Sequence, residues 1–259
     1  MTEIFKLSAS KVKTFQTCKA KYRFEYIEKF PRIERDFQIF GSFLHEVLEN
    51  FHRAIIGGYI GPDNLLMSKV FKDSLNNTWK GRVTAEQTKD SFAILNSYLL
   101  LRHNSNGSLP AVKEVEKSFR LKLNDQVMLN GYIDVVQTDI DGMTHVLDYK
   151  TSKYKKYLEK DLLQLKTYAY AVMMENSSLD RLRCSYVMLK HDFDHIEREF
   201  TRTEIMKVQD RYLGYADAIQ SEKLYRPSTG PLCLYCDHLS RCSAGRDYLG
   251  ADAHGETDW

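Results

Sequence analysis

Along the first hundred residues apolar positions recur every three or four residues, the spacing that gathers them on one face of a helix. Residues 8–28 read as one helix with a serine cap near Ser8 or Ser10. A second helix covers about Ser42–Ile56, with Phe43, Leu44, Val47, Leu48 and Phe51 as its apolar stripe and Ser42 as candidate cap. GGYIGPD stops it. Asp63 or Asn64 then caps a helix running to Lys80, and another spans about Ala85–Asn104 before the loop NSNGSLP.

Beyond that loop the period shortens. Lys113–Leu123, Val127–Thr138 and His145–Thr151 read as strands, with turns at Asn124-Asp125 and Asp141-Gly142. Lys156–Glu175 reads as a helix, Leu182–Lys190 and His195–Thr201 as strands, and Glu204–Ser221 as a helix. PSTGPLCLYCDHLSRC is loop-like. This order predicts an α/β fold in which helices flank a central mixed β-sheet. A helical N-terminal part (1–110), a strand-rich core (111–222) and a Cys-rich loop with an acidic tail (223–259) are expected to form a single unit, 1–259.

With 259 residues, 43% of them hydrophobic, the chain can bury a sizeable core. No apolar run approaches the roughly 18 residues of a membrane helix. MTEIFKLSAS lacks the apolar centre of a secretion signal, so a cytoplasmic protein with no membrane partner is expected. The net charge is only +2, but it is unevenly spread. Lys11–Arg35 carries eight Lys/Arg against three Glu, and Lys150–Lys166 six Lys against two acids. Two such patches suit a polyanion or, equally, solvated helix faces. There is no phosphate-cradling GxxxxGK[ST] run, so any strand unwinding would come from a partner.

The chemistry concentrates where NGYIDVV and HVLDYKTS meet. Strands alternate faces, so Asp148 and Lys150 point one way and Tyr149 the other. A hairpin loop Ile140–Gly142, with Gly142 in the left-handed region, pairs Asp139 with Met143 and places Asp134 opposite Asp148. Two adjacent carboxylates repel each other, and a divalent cation with oxygen ligands removes the conflict. A lysine beside them can orient water and offset charge on a phosphate, which is the chemistry of metal-assisted phosphodiester hydrolysis. The alternative is an ordinary Asp–Lys ion pair at a strand end.

In GSFLHEVLENFH, His45, Glu49 and His52 share a helix stripe. With Ser42 as cap, His45 falls in the first turn, where the dipole favours neutral imidazole. Gln164 and Tyr168 share a face of the helix that follows the lysine cluster. Cys233, Cys236 and Cys242 offer three thiolates in a short loop, and the five cysteines in all argue against a disulfide framework. Cys18 is the better fourth ligand, because Cys184 sits inside the apolar strand RLRCSYVML. Four cysteines suit either a structural zinc or an iron–sulfur cluster, and a zinc site using His238 is a further option. In the stretch KAKYRFEYIEKF, aromatics are expected to face inward and basic residues outward.

GYIDVV followed by VLDYKTS resembles the core of the PD-(D/E)XK nuclease superfamily, and more narrowly its RecB-like and CRISPR-associated exonuclease branch with an iron–sulfur staple. LSASKVKTFQTCKAKYRFEYI, GSFLHEVLE, QLKTYAY and CLYCDHLSRC resemble that branch's other motifs in the correct order. Lys19 stands where relatives commonly have Pro, and Asp148 where many have Glu. The resemblance implies a restriction-endonuclease-like core and a Mg²⁺- or Mn²⁺-dependent exonuclease acting on single-stranded DNA or free ends. It implies that His45, Asp134, Asp148 and the Tyr149 carbonyl bind the metal. Lys150 would then activate water or steady the phosphate, while Gln164 and Tyr168 position the strand. It also implies a [4Fe-4S] cluster on Cys18, Cys233, Cys236 and Cys242, and a helicase or recombination partner. Lys21, Arg23, Lys153 and Lys155 are candidate DNA contacts. Rival readings are a structure-specific endonuclease, a DNA-binding nuclease-like subunit and a zinc-binding regulator. The setting is a bacterial cell, or host cytoplasm for a phage protein.

Overall fold

The computed structural model describes residues 4–105 and 109–250. Residues 106–108 of the NSNGSLP loop and the acidic tail from 251 onward lie outside the described residues. In chain order the elements are β1 (Phe5–Leu7), α1 (Ala9–Thr17), α2 (Lys19–Tyr22), α3 (Asp36–Ile56), α4 (Asp63–Asn77), α5 (Ala85–Asn104), β2 (Ala111–Lys122), β3 (Val127–Thr138), β4 (Thr144–Lys150), α6 (Lys156–Lys160), α7 (Leu163–Glu175), β5 (Arg181–Met188), β6 (Asp194–Thr201), α8 (Arg202–Ile205), α9 (Lys207–Ser221) and α10 (Ser243–Leu249). They divide into two compact units. One holds Met1–Glu34, Lys122–Leu129 and Asp210–Trp259, the other Arg35–Leu121 and Asn130–Gln209.

In the first unit β1 pairs in parallel with the start of β3, Phe5 opposite Val127. Ser8 caps α1, its Oγ accepting the Lys11 N–H at 3.3 Å. The single helix expected over 8–28 is broken at Cys18, whose backbone is extended (φ −158°, ψ 113°). After α2 the coil widens, and the Glu28 N–H donates to the Arg23 carbonyl five residues back. A one-residue break leaves Phe15, Ala20, Tyr22 and Phe24 all buried, so the apolar period reads straight through it. The aromatics do turn inward: Tyr22 packs edge-on against Phe15 and stacks on Tyr225.

The second unit carries the mixed sheet. β3 and β4 pair antiparallel, β4 and β5 parallel, β5 and β6 antiparallel, and β2 also pairs with β3. Val135 faces Leu147 and Thr138 faces Thr144, the register expected from the turn. Gly142 takes φ +83°, and the Asp139 N–H donates to Met143. A side chain at Gly142 would strain that turn, which is why the register is legible from Asp-Gly. α3 buries Phe40, Phe43, Leu44, Val47, Leu48 and Phe51 against α4 and against Val135, Leu147 and Val187 of the sheet. Each such side chain contributes about 1.5–3 kcal/mol on burial. α7 packs on β4 and β5, and Cys184, fully buried, turns its Sγ to the Leu165 carbonyl at 3.6 Å.

Helix boundaries depart from expectation in several places. α3 begins at Asp36, not at Ser42, and its first turn is closed by Gln38 accepting the Arg35 N–H. Pro62 occupies the cap position of α4, with Asp63 already helical. The helix expected over 156–175 splits at Asp161, whose carbonyl accepts the Tyr186 hydroxyl at 2.8 Å. The helix expected from Glu204 starts at Arg202 and breaks once, between α8 and α9. Side-chain caps and tertiary bonds set these ends, and neither has an apolar period to betray it.

Candidate active site

The middle of β3 and the end of β4 bring the sequence-predicted residues together. Asp134 Oδ2 accepts the Tyr149 N–H at 2.7 Å. Asp148 forms an ion pair with Lys150. Lys150 Nζ donates to Gln164 Oε1 at 3.0 Å, Gln164 Nε2 donates to the Tyr168 hydroxyl at 2.7 Å, and that hydroxyl donates to Asp148 Oδ1 at 3.1 Å. Asp148, Lys150, Gln164 and Tyr168 thus close a ring of hydrogen bonds between β4 and α7. Tyr168 is buried, and its hydroxyl bridges Gln164 to the Asp148 carboxylate.

Behind the strand end, Tyr149 points into the core, where its hydroxyl meets His52 Nε2 at 3.2 Å and the Tyr98 hydroxyl meets the same nitrogen at 3.1 Å. His52 is buried, and burial holds its imidazole down at about 4, helped by Arg102. It is a structural residue. It anchors the Asp-Tyr-Lys segment from the other side of the sheet.

His45 comes from the middle of α3, with Nδ1 3.5 Å from Asp134 Oδ2. The expected dipole effect does not apply, since nine residues of helix precede His45. Burial instead lowers its pKa, with Lys150 adding to the effect against Asp148. Glu116 on β2 is a residue that sequence reasoning missed. It sits at φ +46°, a conformation costly for a side-chain-bearing residue and concentrated at functional sites. Donor atoms of His45, Glu116 and Asp134 lie within 4.8 Å of one another. Its only sequence signal is an acid at a central position of the preceding strand.

The electrostatics fit a cation. Burial and then Asp148 push the Asp134 carboxyl well up, and burial and then Asp134 raise Glu116 to about 6. Asp148 thus disfavours the anion at Asp134, Asp134 disfavours the anion at Glu116, and an imidazole with carboxylates suits a divalent cation. His45 and Glu116 open onto a cleft of about 870 Å³ lined also by Phe37, Glu49, Lys150 and Lys190. Among the candidate DNA contacts, Lys153 is exposed, Lys155 pairs with Asp194, Lys21 pairs with Glu25 and Arg23 with Glu28.

In the first unit, Cys18, Cys233, Cys236 and Cys242 line one cavity. The Ser228 N–H points at Cys18 Sγ and the Gly245 N–H at Cys242 Sγ, both at 3.4 Å. Four cysteines lining one cavity, two of them with backbone N–H groups facing their sulfurs, are a donor set of the kind that holds a thiolate-bound cluster. His238 does not line that cavity. Its ring packs on Phe24 and its Nε2 faces Glu25 at 3.8 Å.

A mixed sheet carrying two aspartates and a lysine on adjacent strands is an arrangement of the nuclease type. The chain belongs to the PD-(D/E)XK nuclease superfamily, whose family model matches residues 6–243. It is 27% identical over 164 residues to an ATP-dependent helicase/deoxyribonuclease subunit of Streptococcus agalactiae, a match covering 60% of this chain and 15% of that protein. The Streptococcus pyogenes protein of the same description is 28% identical over 160 residues, 57% of this chain and 14% of the relative. The chain therefore aligns with about a seventh of the length of these relatives. A crystal structure of an exonuclease candidate from Eubacterium rectale shares the fold, with a TM-score of 0.51 at 11% identity over 93% of this chain and 86% of that one. Among the described residues no helix is long and apolar enough to cross a membrane.

Proposed function

We propose that this chain is a metal-dependent DNA exonuclease that hydrolyses phosphodiester bonds from single-stranded or free ends. The observation that carries this reading is the closed ring Asp148–Lys150–Gln164–Tyr168 standing beside Asp134. Lys150 is held by two acceptors, so its ammonium is aimed and not free to swing, as electrostatic preorganisation requires. From there it orients the attacking water or steadies the scissile phosphate. Tyr168 keeps Asp148 in place, and Gln164 fixes Lys150 and the incoming strand. His45, Asp134, Asp148 and the Tyr149 carbonyl hold Mg²⁺ or Mn²⁺, with Glu116 as an added ligand. A bound cation there supplies a polarised phosphoryl oxygen and an acidified water. Phe37, Lys153 and Lys190 line the strand's approach.

The four cysteines hold a [4Fe-4S] cluster with a structural role, and structural zinc is the alternative. The protein acts in the cytoplasm on DNA ends. A helicase-type partner supplies the unwound strand, a reading supported by the relatives' description as helicase/deoxyribonuclease subunits.

The test is a panel of single-stranded, blunt, flapped and junction DNAs, labelled at either end and incubated with Mn²⁺. Progressive shortening of the single strand from one end is expected. Cleavage confined to flaps or junctions would replace the exonuclease with a structure-specific endonuclease. Binding without cleavage of any substrate would leave a DNA-binding subunit.

A further inference from the structure

A second group of metal-type donors lies away from the cleft, where β4, β5 and β6 run side by side. His145 on β4 and His195 and Glu197 on β6 present one donor atom each within 4.8 Å of one another. The register explains the convergence: His145 lies beside Arg183, Ser185 faces Glu197 and Val187 faces His195, so all share one face of the sheet.

The hydrogen bonds fix which nitrogen is offered. His145 Nδ1 lies 2.9 Å from Asp139 Oδ2. A carboxylate only accepts, so Nδ1 carries the proton and Nε2 carries the lone pair. The Ser185 hydroxyl, 2.7 Å from Nε2, is then the donor to it. A carboxylate behind the distal nitrogen is the arrangement that orients histidine ligands in metal sites. Glu197 is placed by an ion pair. Arg183 Nε lies 3.2 Å from Oε1, leaving Oε2, which is 4.0 Å from His145 Nε2, to face the histidines. Arg183 is itself matched by Asp139, Asp141 and Glu199, so its charge does not fall on the histidines alone.

We propose that His145, His195 and Glu197 form a second metal site, selective for a borderline divalent ion of the Zn²⁺ class, which clamps β4 to β6 across β5. Two imidazoles and one carboxylate are a zinc-type donor set, distinct from the oxygen-rich set in the cleft. Tetrahedral zinc holds its donors about 3.4 Å apart, so the side chains must close in by roughly 1 Å. His195 and Glu197 are exposed and free to do so, while the buried His145 stays as the fixed point. Ser185 Oγ turns from donor to the ring to neighbour of the metal.

The experiment is calorimetric titration of Zn²⁺ into the full chain with its cysteine site already metal-loaded, in excess Mg²⁺, which competes for the carboxylate cleft. The parent is compared with His195→Ala, Asp139→Asn and, as control, His45→Ala. One Zn²⁺ event is expected, weakened at least tenfold in His195→Ala, weakened about 10- to 100-fold in Asp139→Asn, and retained in His45→Ala. His195 is exposed, so its variant folds. An isotherm unchanged by His195→Ala, or an event lost only with His45→Ala, overturns the proposal. So does the absence of any Zn²⁺ event in the parent. None of these readouts depends on nuclease activity, so their failure leaves the exonuclease reading standing.

Discussion

At the carboxylate site the candidate side chains come from regular elements, β2, β3, β4, α3 and α7, and hydrogen bonds lock those of β3, β4 and α7 to one another. At the cysteine site the sulfurs come from a helix break and from short turns, and backbone N–H groups are what point at them. The first site is preorganised by the fold. The second, on the function proposed above, would depend on a bound metal or cluster to hold the loop, as small thiolate sites generally do. Damage to each should therefore read out differently. The first should lose chemistry and keep structure, and the second should lose structure.

The largest effect is expected from Asp134→Asn. Removing this carboxylate should cut DNA hydrolysis by at least about 10³-fold while the melting temperature holds or rises, because a repelling anion is gone. A fall in stability with activity intact would reverse the comparison. Cys236→Ser should do the opposite. Metal content should fall, and hydrogen-exchange protection should collapse in β1 and α10 but persist in β4. Protection lost equally in β4 would show that the second unit is not independent of the cysteines.

Tyr168→Phe sharpens the comparison within the first site. It deletes one donor to a buried carboxylate and should cost about tenfold in turnover at unchanged fold. The smallest effect is one of pH. Glu116 and Asp134 are both raised, so their contribution to stability is complete below the ordinary carboxylate range and is lost as pH rises through about 6 and above. A cation needs the deprotonated forms, so Mn²⁺ should raise the melting temperature more at about pH 8 than at about pH 5. Glu116→Gln should flatten that difference. An equal Mn²⁺ effect at both pH values would place the ion elsewhere.

The same contrast governs what could be read in advance. The Asp-Gly turn sets the β3–β4 register, and with it Asp134 and Asp148, because side-chain alternation is strict once one pair is fixed. Cys184 was legible as core because its neighbours are apolar, and it lies fully buried. The break at Cys18, the early start of α3 and the split at Asp161 were not legible. Each rests on a cap or on a bond to a distant residue such as Tyr186, and the apolar period runs on regardless. Glu116 escaped for a related reason. Its role comes from a left-handed backbone at one strand position, which no pattern of residue types encodes. For Tyr168 and His52 the buried hydrogen-bond partners come from another element, so helical spacing alone did not name them.

The most direct test of the account is cleavage of end-labelled single-stranded DNA with Mn²⁺ by anaerobically purified protein, run beside Lys150→Ala with the cysteine-site metal confirmed in both. The account predicts that the parent shortens the strand and the variant does not, at equal metal content and equal stability. Equal cleavage by both proteins, or none by the parent under either Mn²⁺ or Mg²⁺, would contradict it.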